Sequence, residues 1–128
     1  PELAKPLFTD YRGVTIGMSA ADAREKLGKA KDTSDTQDFY VFSDGETVQI
    51  VYDEDKTVKA ISATYMGPKV TPPVPKDLFG VDAEVKPDGS INKMVKYPKA
   101  SIWISYIKTG GDDPMVMVTV SKLQKGES

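Results

Sequence analysis

The chain contains neither cysteine nor histidine. With both missing, the thiolate and imidazole ligands of zinc and iron–sulfur sites, the Cys nucleophile and the base of a Ser-His-Asp triad are all excluded. A lack of cysteine leaves the redox compartment open, because such a domain folds in oxidising and reducing surroundings alike. An excess of charge of one sign is missing too. With 17 basic residues against 19 acidic, the net charge is −2, so no long-range field draws the chain to phosphate backbones or anionic lipid, and nucleic acid is not expected as a partner. Long apolar runs are absent as well. The most apolar stretches, Ile102 to Ile107 and Met115 to Val120, have strand length and fall far short of the roughly 20 residues a membrane-spanning helix needs. No transmembrane segment is expected. Neither Gly-x-Gly-x-x-Gly nor Gly-x4-Gly-Lys occurs, which removes the usual nucleotide cradles.

What is present fits one domain over residues 1–128. Apolar residues at 39% and charged residues at 28% are globular averages, and this length allows a sizeable core. The chain begins with Pro1 rather than methionine, from which removal of a leader is expected, either by natural processing or in preparing the protein. Residues 1–13, with two prolines, read as an arm. In the segment 14–66, Ser19 stands before Ala20-Ala21-Asp22-Ala23-Arg24-Glu25-Lys26-Leu27, a run of good helix formers. Its hydroxyl is placed to accept from the Asp22 amide, Gly28 to close the helix, and Met18 to pack back on Ala23. After it, Phe39 to Phe42, Asp44-Gly45, and Val48, Ile50 and Tyr52 at period two predict a hairpin with positive φ in its turn. Val58 to Tyr65 adds a third strand.

Four prolines between Gly67 and Pro75 rule out a helix or an interior strand, so 67–75 reads as a connector. In the second half, 76–123, Lys76 to Gly80 predicts one helical turn. Val81 to Val85, Asp88-Gly89 and Ser90 to Tyr97 predict a second hairpin. Two long strands, Ala100 to Lys108 and Pro114 to Lys122, complete an α+β domain: an antiparallel, mostly meander sheet with one or two short helices packed on one face.

Gly17-Met18-Ser19, Leu27-Gly28 at the helix end, the aromatic strand, and Val58-Lys59-Ala60-Ile61 resemble the SmpA/OmlA group of small bacterial envelope lipoproteins, and the wider set of beta-lactamase-inhibitor-like domains. The resemblance covers Val14 to Tyr65. Ala23 stands where those domains often carry a larger apolar residue, and Ala30 where they often have proline. A lipoprotein also starts its mature chain with cysteine, which is absent here. The resemblance implies an extracytoplasmic domain, periplasmic or secreted, that works by binding another protein. It transfers no binding residue.

Chemistry has few footholds. Asp53, Glu54 and Asp55, and Asp112 and Asp113, sit in predicted turns, where neighbouring acids act as solvated caps and cannot face each other across a cleft as glycosidase carboxylates do. Asp53-x-Asp55 starts like a calcium loop, but Thr57 and Val58 break the pattern. No metal and no cofactor is expected, and no catalytic residue is assigned. Lys93, Lys96 and Lys99 read as guards of a sheet edge. The informative feature is apolar. Ile102, Ile104 and Tyr106, with Val116, Val118 and Val120, mark a core face, while Trp103, Met115 and Met117 put large apolar side chains on the opposite face. Adaptable methionines around an aromatic anchor suit protein recognition. The bland reading is that a helix or the arm covers them. The function expected is a non-enzymatic extracytoplasmic binding or scaffold domain for another protein or a second copy. An inhibitor of a secreted enzyme, inserting a tip such as Asp44-Gly45, is one variant, and a carrier of a small apolar ligand is another.

Overall fold

The computed structural model describes residues 7, 8 and 10–123; the rest of the expected arm, and residues 124–128, lie outside the described residues. Helix α1 runs over Ala20–Leu27, and the Ser19 hydroxyl accepts the Asp22 amide at 3.1 Å. Gly28 ends it at φ 84°, donating its amide to the Arg24 carbonyl, a position where a side chain would be strained. Ala23 and Leu27 are the buried residues of α1. A stripe that narrow explains why an eight-residue helix stands only by lying on the sheet.

The sheet has seven antiparallel strands: β1 (Asp32–Thr33), β2 (Gln37–Ser43), β3 (Glu46–Tyr52), β4 (Val58–Met66), β5 (Ile91–Tyr97), β6 (Ile102–Lys108) and β7 (Met115–Lys122). Their order is β1-β2-β3-β4-β7-β6-β5. Each half is a meander, and the halves join where β4 pairs with β7, Ile61 opposite Val120 and Ala63 opposite Val118. The connector therefore carries the chain from the middle of the sheet to its far edge. It includes helix α2 (Pro75–Phe79), which begins on a proline, takes the Asp77 carboxylate back to the Val74 amide, and stops at Gly80 with φ 79°, as the Lys76 to Gly80 pattern predicts.

Two expectations need correction. The segment 81–86 is not a strand, and Val81 and Val85 are exposed. It descends from α2, which lies against one face, to the start of β5, so it leaves the plane in which it would have paired. Gly89 does turn at φ 88°, but before β5 rather than between two strands. In the β2–β3 turn neither Asp44 nor Gly45 has positive φ. Glycine is required there by close approach instead: a Cβ on Gly45 would stand 2.5 Å from the Met66 carbonyl oxygen and 3.0 Å from Val70.

Alternation gives the sheet an inner and an outer face. Tyr40, Val48, Ile50, Val58, Ile61, Ile104, Tyr106 and Val118 are all but fully buried on the inner face. The first half is covered by α1 and by Tyr11 and Val14, the second by Leu78 and Phe79 of α2. Polar bonds fix these covers. Arg24 of α1 grips buried Asp38 with two nitrogens, at 2.8 and 3.0 Å, and Tyr52 donates to the same carboxylate at 2.6 Å. Tyr11 donates to Glu46 at 2.5 Å, and Arg12 pairs with Glu46 while lying 3.9 Å over the Phe42 ring. Tyr106 donates to the Pro73 carbonyl in the connector at 3.0 Å.

Candidate functional site

The outer face is built from side chains that the strand registers set in rows. One row runs Gln37, Val51, Ala60, Ser121, Trp103, Lys96 from β2 to β5. The middle row runs Phe39, Gln49, Ser62, Thr119, Ser105, Met94, and the third Val41, Thr47, Thr64, Met117, Ile107, Asn92. Met66 and Met115 pair beyond the third row. The charged residues of these rows stand at the margins, Lys96 on β5 and Asp32 opposite Phe39 on the edge strand β1, in a chain that is 28% charged. A solvent-facing sheet surface of this size would ordinarily alternate apolar residues with charged ones.

Both helices and the segment 10–19 pack on the inner side, so none of them covers this surface. Phe39 at 36%, Val41 at 46%, Met66 at 44%, Met94 at 52% and Ile107 at 39% are among the large apolar residues left exposed. Trp103, Met115 and Met117 share the face as expected, and each is half-buried among its neighbours. The residues missed by sequence reasoning are Met94, Ile107, Met66, Phe39 and Val41. Met94, between Lys93 and Val95, carries no alternation signal of its own, and Phe39 and Val41 were readable only as hairpin.

The other predicted tip residues behave differently. Asp44 is exposed, but Gly45 is buried beneath Met66 and Val70, and its carbonyl accepts the Met66 amide at 2.9 Å. In the first acidic turn Asp55 acts as a cap, as Asp88 does in the turn before β5. Asp55 Oδ1 accepts from the Thr57 amide and hydroxyl, and Asp88 Oδ1 from those of Ser90. Those hydroxyl bonds, first among the causes, hold both carboxyls below their usual pKa. Asp53 pairs with Lys122 at 2.6 Å, which raises the lysine. Among the described residues no group of three or more acidic side chains converges.

Asp38 and Glu46 are the acids placed on the inner face. They lie at opposite ends of the β2–β3 hairpin, level with Ile50 and Tyr65, which strand rise puts about 13 Å apart. That exceeds the separation at which two carboxyls serve one glycosidic bond. A cleft of about 370 Å³ opens on the inner face between Thr15 and Ile16 on one side and Ala100 and Ser101 on the other, floored by Ile61, Ile102 and Val120. Its size is at the small end for ligand pockets.

No helix among the described residues is long and apolar enough to cross a membrane. The fold is that of an antiparallel α+β domain, and no family model and no curated protein matches the chain. Among solved structures it is similar to a DUF4309 family protein, YjgB, from Bacillus subtilis subsp. subtilis strain 168, with a TM-score of 0.54 and 18% identity over 95% of this chain and 86% of that one. Likeness at that identity is a likeness of fold.

Proposed function

We propose that this is a non-enzymatic protein-binding domain whose working surface is the outer face of the sheet. The observation that carries the reading is the nearly uncharged surface around Trp103, Met94, Ile107 and Met117, left uncovered by both helices. Depletion of charge with enrichment of aromatic residues and methionine is the composition of interface cores. The acids of the inner face are occupied by Arg24, Tyr52, Tyr11 and Arg12, in keeping with a domain that binds rather than reacts. An extracytoplasmic setting follows the SmpA/OmlA-like pattern of Gly17 to Ser19 and Leu27-Gly28. The inhibitor variant draws less support, because burial of Gly45 leaves Asp44 alone at the tip.

Capture from an envelope extract with the intact domain and with Trp103→Ser tests the reading. The substitution weakens association by about 2 kcal/mol or more if Trp103 is the anchor, and costs the fold little. Unfolding of the variant with undiminished capture by its folded fraction would sink the idea. The cleft over Ile61, Ile102 and Val120 favours a second reading, carriage of a small apolar ligand. Filling it by Ala100→Trp would abolish uptake of an apolar fluorescent probe in that case, and leave uptake unchanged otherwise.

A further inference from the structure

We infer that the occupant of the outer face is a second copy of this chain, packed sheet on sheet about a two-fold axis that runs along the strands between β4 and β7; this rests on the reading of that face as a protein-binding surface. Size is the first argument. Six strands spaced about 4.8 Å apart and seven residues long at about 3.3 Å per residue present roughly 600 Å² per copy. Two copies then bury about 1,200 Å², the lower bound of stable interfaces. A sheet is also the natural cover for a flat sheet face, with side chains of the two layers interdigitating at about 10 Å.

Self-complementarity is the second argument. An isologous interface must match its own pattern when turned about the axis. Here the turn reverses each row against itself. In the middle row, Phe39 comes over the partner's Met94, Gln49 over the partner's Ser105, and Ser62 over the partner's Thr119, so apolar ends meet apolar ends and hydroxyls meet hydroxyl and amide groups. In the first row Trp103 comes over the partner's Val51; in the third the threonines Thr64 and Thr47 come over the partner's Met117 and Ile107, where their methyl groups supply the apolar contact, and Val41 comes over the partner's Asn92 at the rim. The charge of Lys96 falls at the rim, over the partner's Gln37, and that of Asp32 falls outside Phe39 on the edge strand, so no like charges are opposed. The net charge of −2 per chain adds little repulsion.

Sedimentation equilibrium from about 1 μM to about 1 mM tests the inference across the range of ordinary dimer affinities. The wild type shows a monomer–dimer equilibrium insensitive to salt. Thr64→Arg, which puts a charge in the third row, raises the dissociation constant at least tenfold without lowering the Tm measured at a concentration where both chains are monomeric. Phe39→Lys and Met94→Glu each weaken association, and the chain carrying both recovers most of it, a rescue that only the two-fold pairing of those rows supplies. A wild type that stays monomeric throughout, or a dimer indifferent to Thr64→Arg, overturns the second-copy assignment. A photo-crosslinker at Met117 separates this failure from that of the wider reading. An adduct with the same chain supports the dimer. An adduct with a different protein, lost on Trp103→Ser, overturns the dimer and keeps a protein-binding face; no adduct with any protein overturns both.

Discussion

The two faces of this sheet are made from the same strands yet handle charge in opposite ways. On the inner face, charge attaches the covers: Arg24 to Asp38, and Arg12 to Glu46, each joined by a tyrosine hydroxyl. On the outer face the rows are amide, hydroxyl and apolar, with Lys96 and Asp32 at opposite margins. A buried charge is tolerable only where a partner is fixed by the same fold, and the inner face has such partners within the chain. A surface that meets a separate molecule does better without charges to desolvate. Perturbing the inner face therefore costs stability, and perturbing the outer face costs association.

All six tyrosines belong to the inner side, and burial, the first cause at each, raises every phenol above its usual pKa of 10; Tyr65 is pushed up to about 12, with Glu46 adding to the effect. Folding thus holds protons that the unfolded chain releases near pH 10. The tyrosine contribution is fully present below pH 10 and lost as pH rises through the folded-state values. The largest effect expected is a steep fall in Tm between about pH 10 and 12, after a plateau at lower pH. A Tm that stays level to pH 12 would contradict the burial of these phenols.

Next in size is Arg24→Met. It leaves the Asp38 carboxylate fully buried with Tyr52 as its remaining donor, a loss of about 3 kcal/mol readable by urea denaturation. At a concentration where both chains are monomeric, Thr64→Arg on the outer face should change the same measurement by less than about 0.5 kcal/mol. If the two substitutions cost alike, the contrast between the faces is wrong. Smaller again is Tyr106→Phe, which removes the bond to the Pro73 carbonyl and should cost about 1 kcal/mol, measured by the same unfolding curve. An unchanged curve would mean that the connector is held by Leu78 and Phe79 alone.

Local chemistry made parts of this fold legible in the sequence. Ser19, Asp22 and Gly28 define α1 within a few residues of each other, and Pro75 with Gly80 bounds α2 in the same way. What failed were inferences that needed the third dimension. Val81 to Val85 alternates like a strand, but the position of α2 above the sheet takes it out of plane. Asp44-Gly45 reads as a turn needing positive φ, whereas the glycine is there because the Met66 carbonyl comes so close. Pairing of Arg24 with Asp38 has no local signature, since it depends on how α1 crosses β2. Of the candidate site, Trp103, Met115 and Met117 were readable by alternation within β6 and β7. Phe39, Val41 and Met94 joined them only through registers linking both halves, and those depend on β4 meeting β7.

The smallest expected effect is also the most discriminating, because it separates two tyrosines that approach the same carboxylate. Tyr52 donates to Asp38 at 2.6 Å, so Tyr52→Phe removes a bond to a buried charge and should cost about 1.5 to 3 kcal/mol. Burial first, and then the neighbouring carboxylate of Asp38, push the Tyr40 phenol up, yet its buried hydroxyl stands outside hydrogen-bond geometry to Asp38 and to every other described residue. Its ring stacks on Phe42 at 5.8 Å between centroids, and Tyr40→Phe keeps that stack. Removing an unpaired buried hydroxyl relieves a desolvation cost without breaking a bond. Tyr40→Phe should therefore change stability by less than about 0.5 kcal/mol, with any change a gain, in a urea titration run beside Tyr52→Phe. A loss of more than about 1 kcal/mol would place a bond from Tyr40 to Asp38 in solution, making the carboxylate the acceptor of both hydroxyls and binding α1 more tightly to the sheet than the present geometry does.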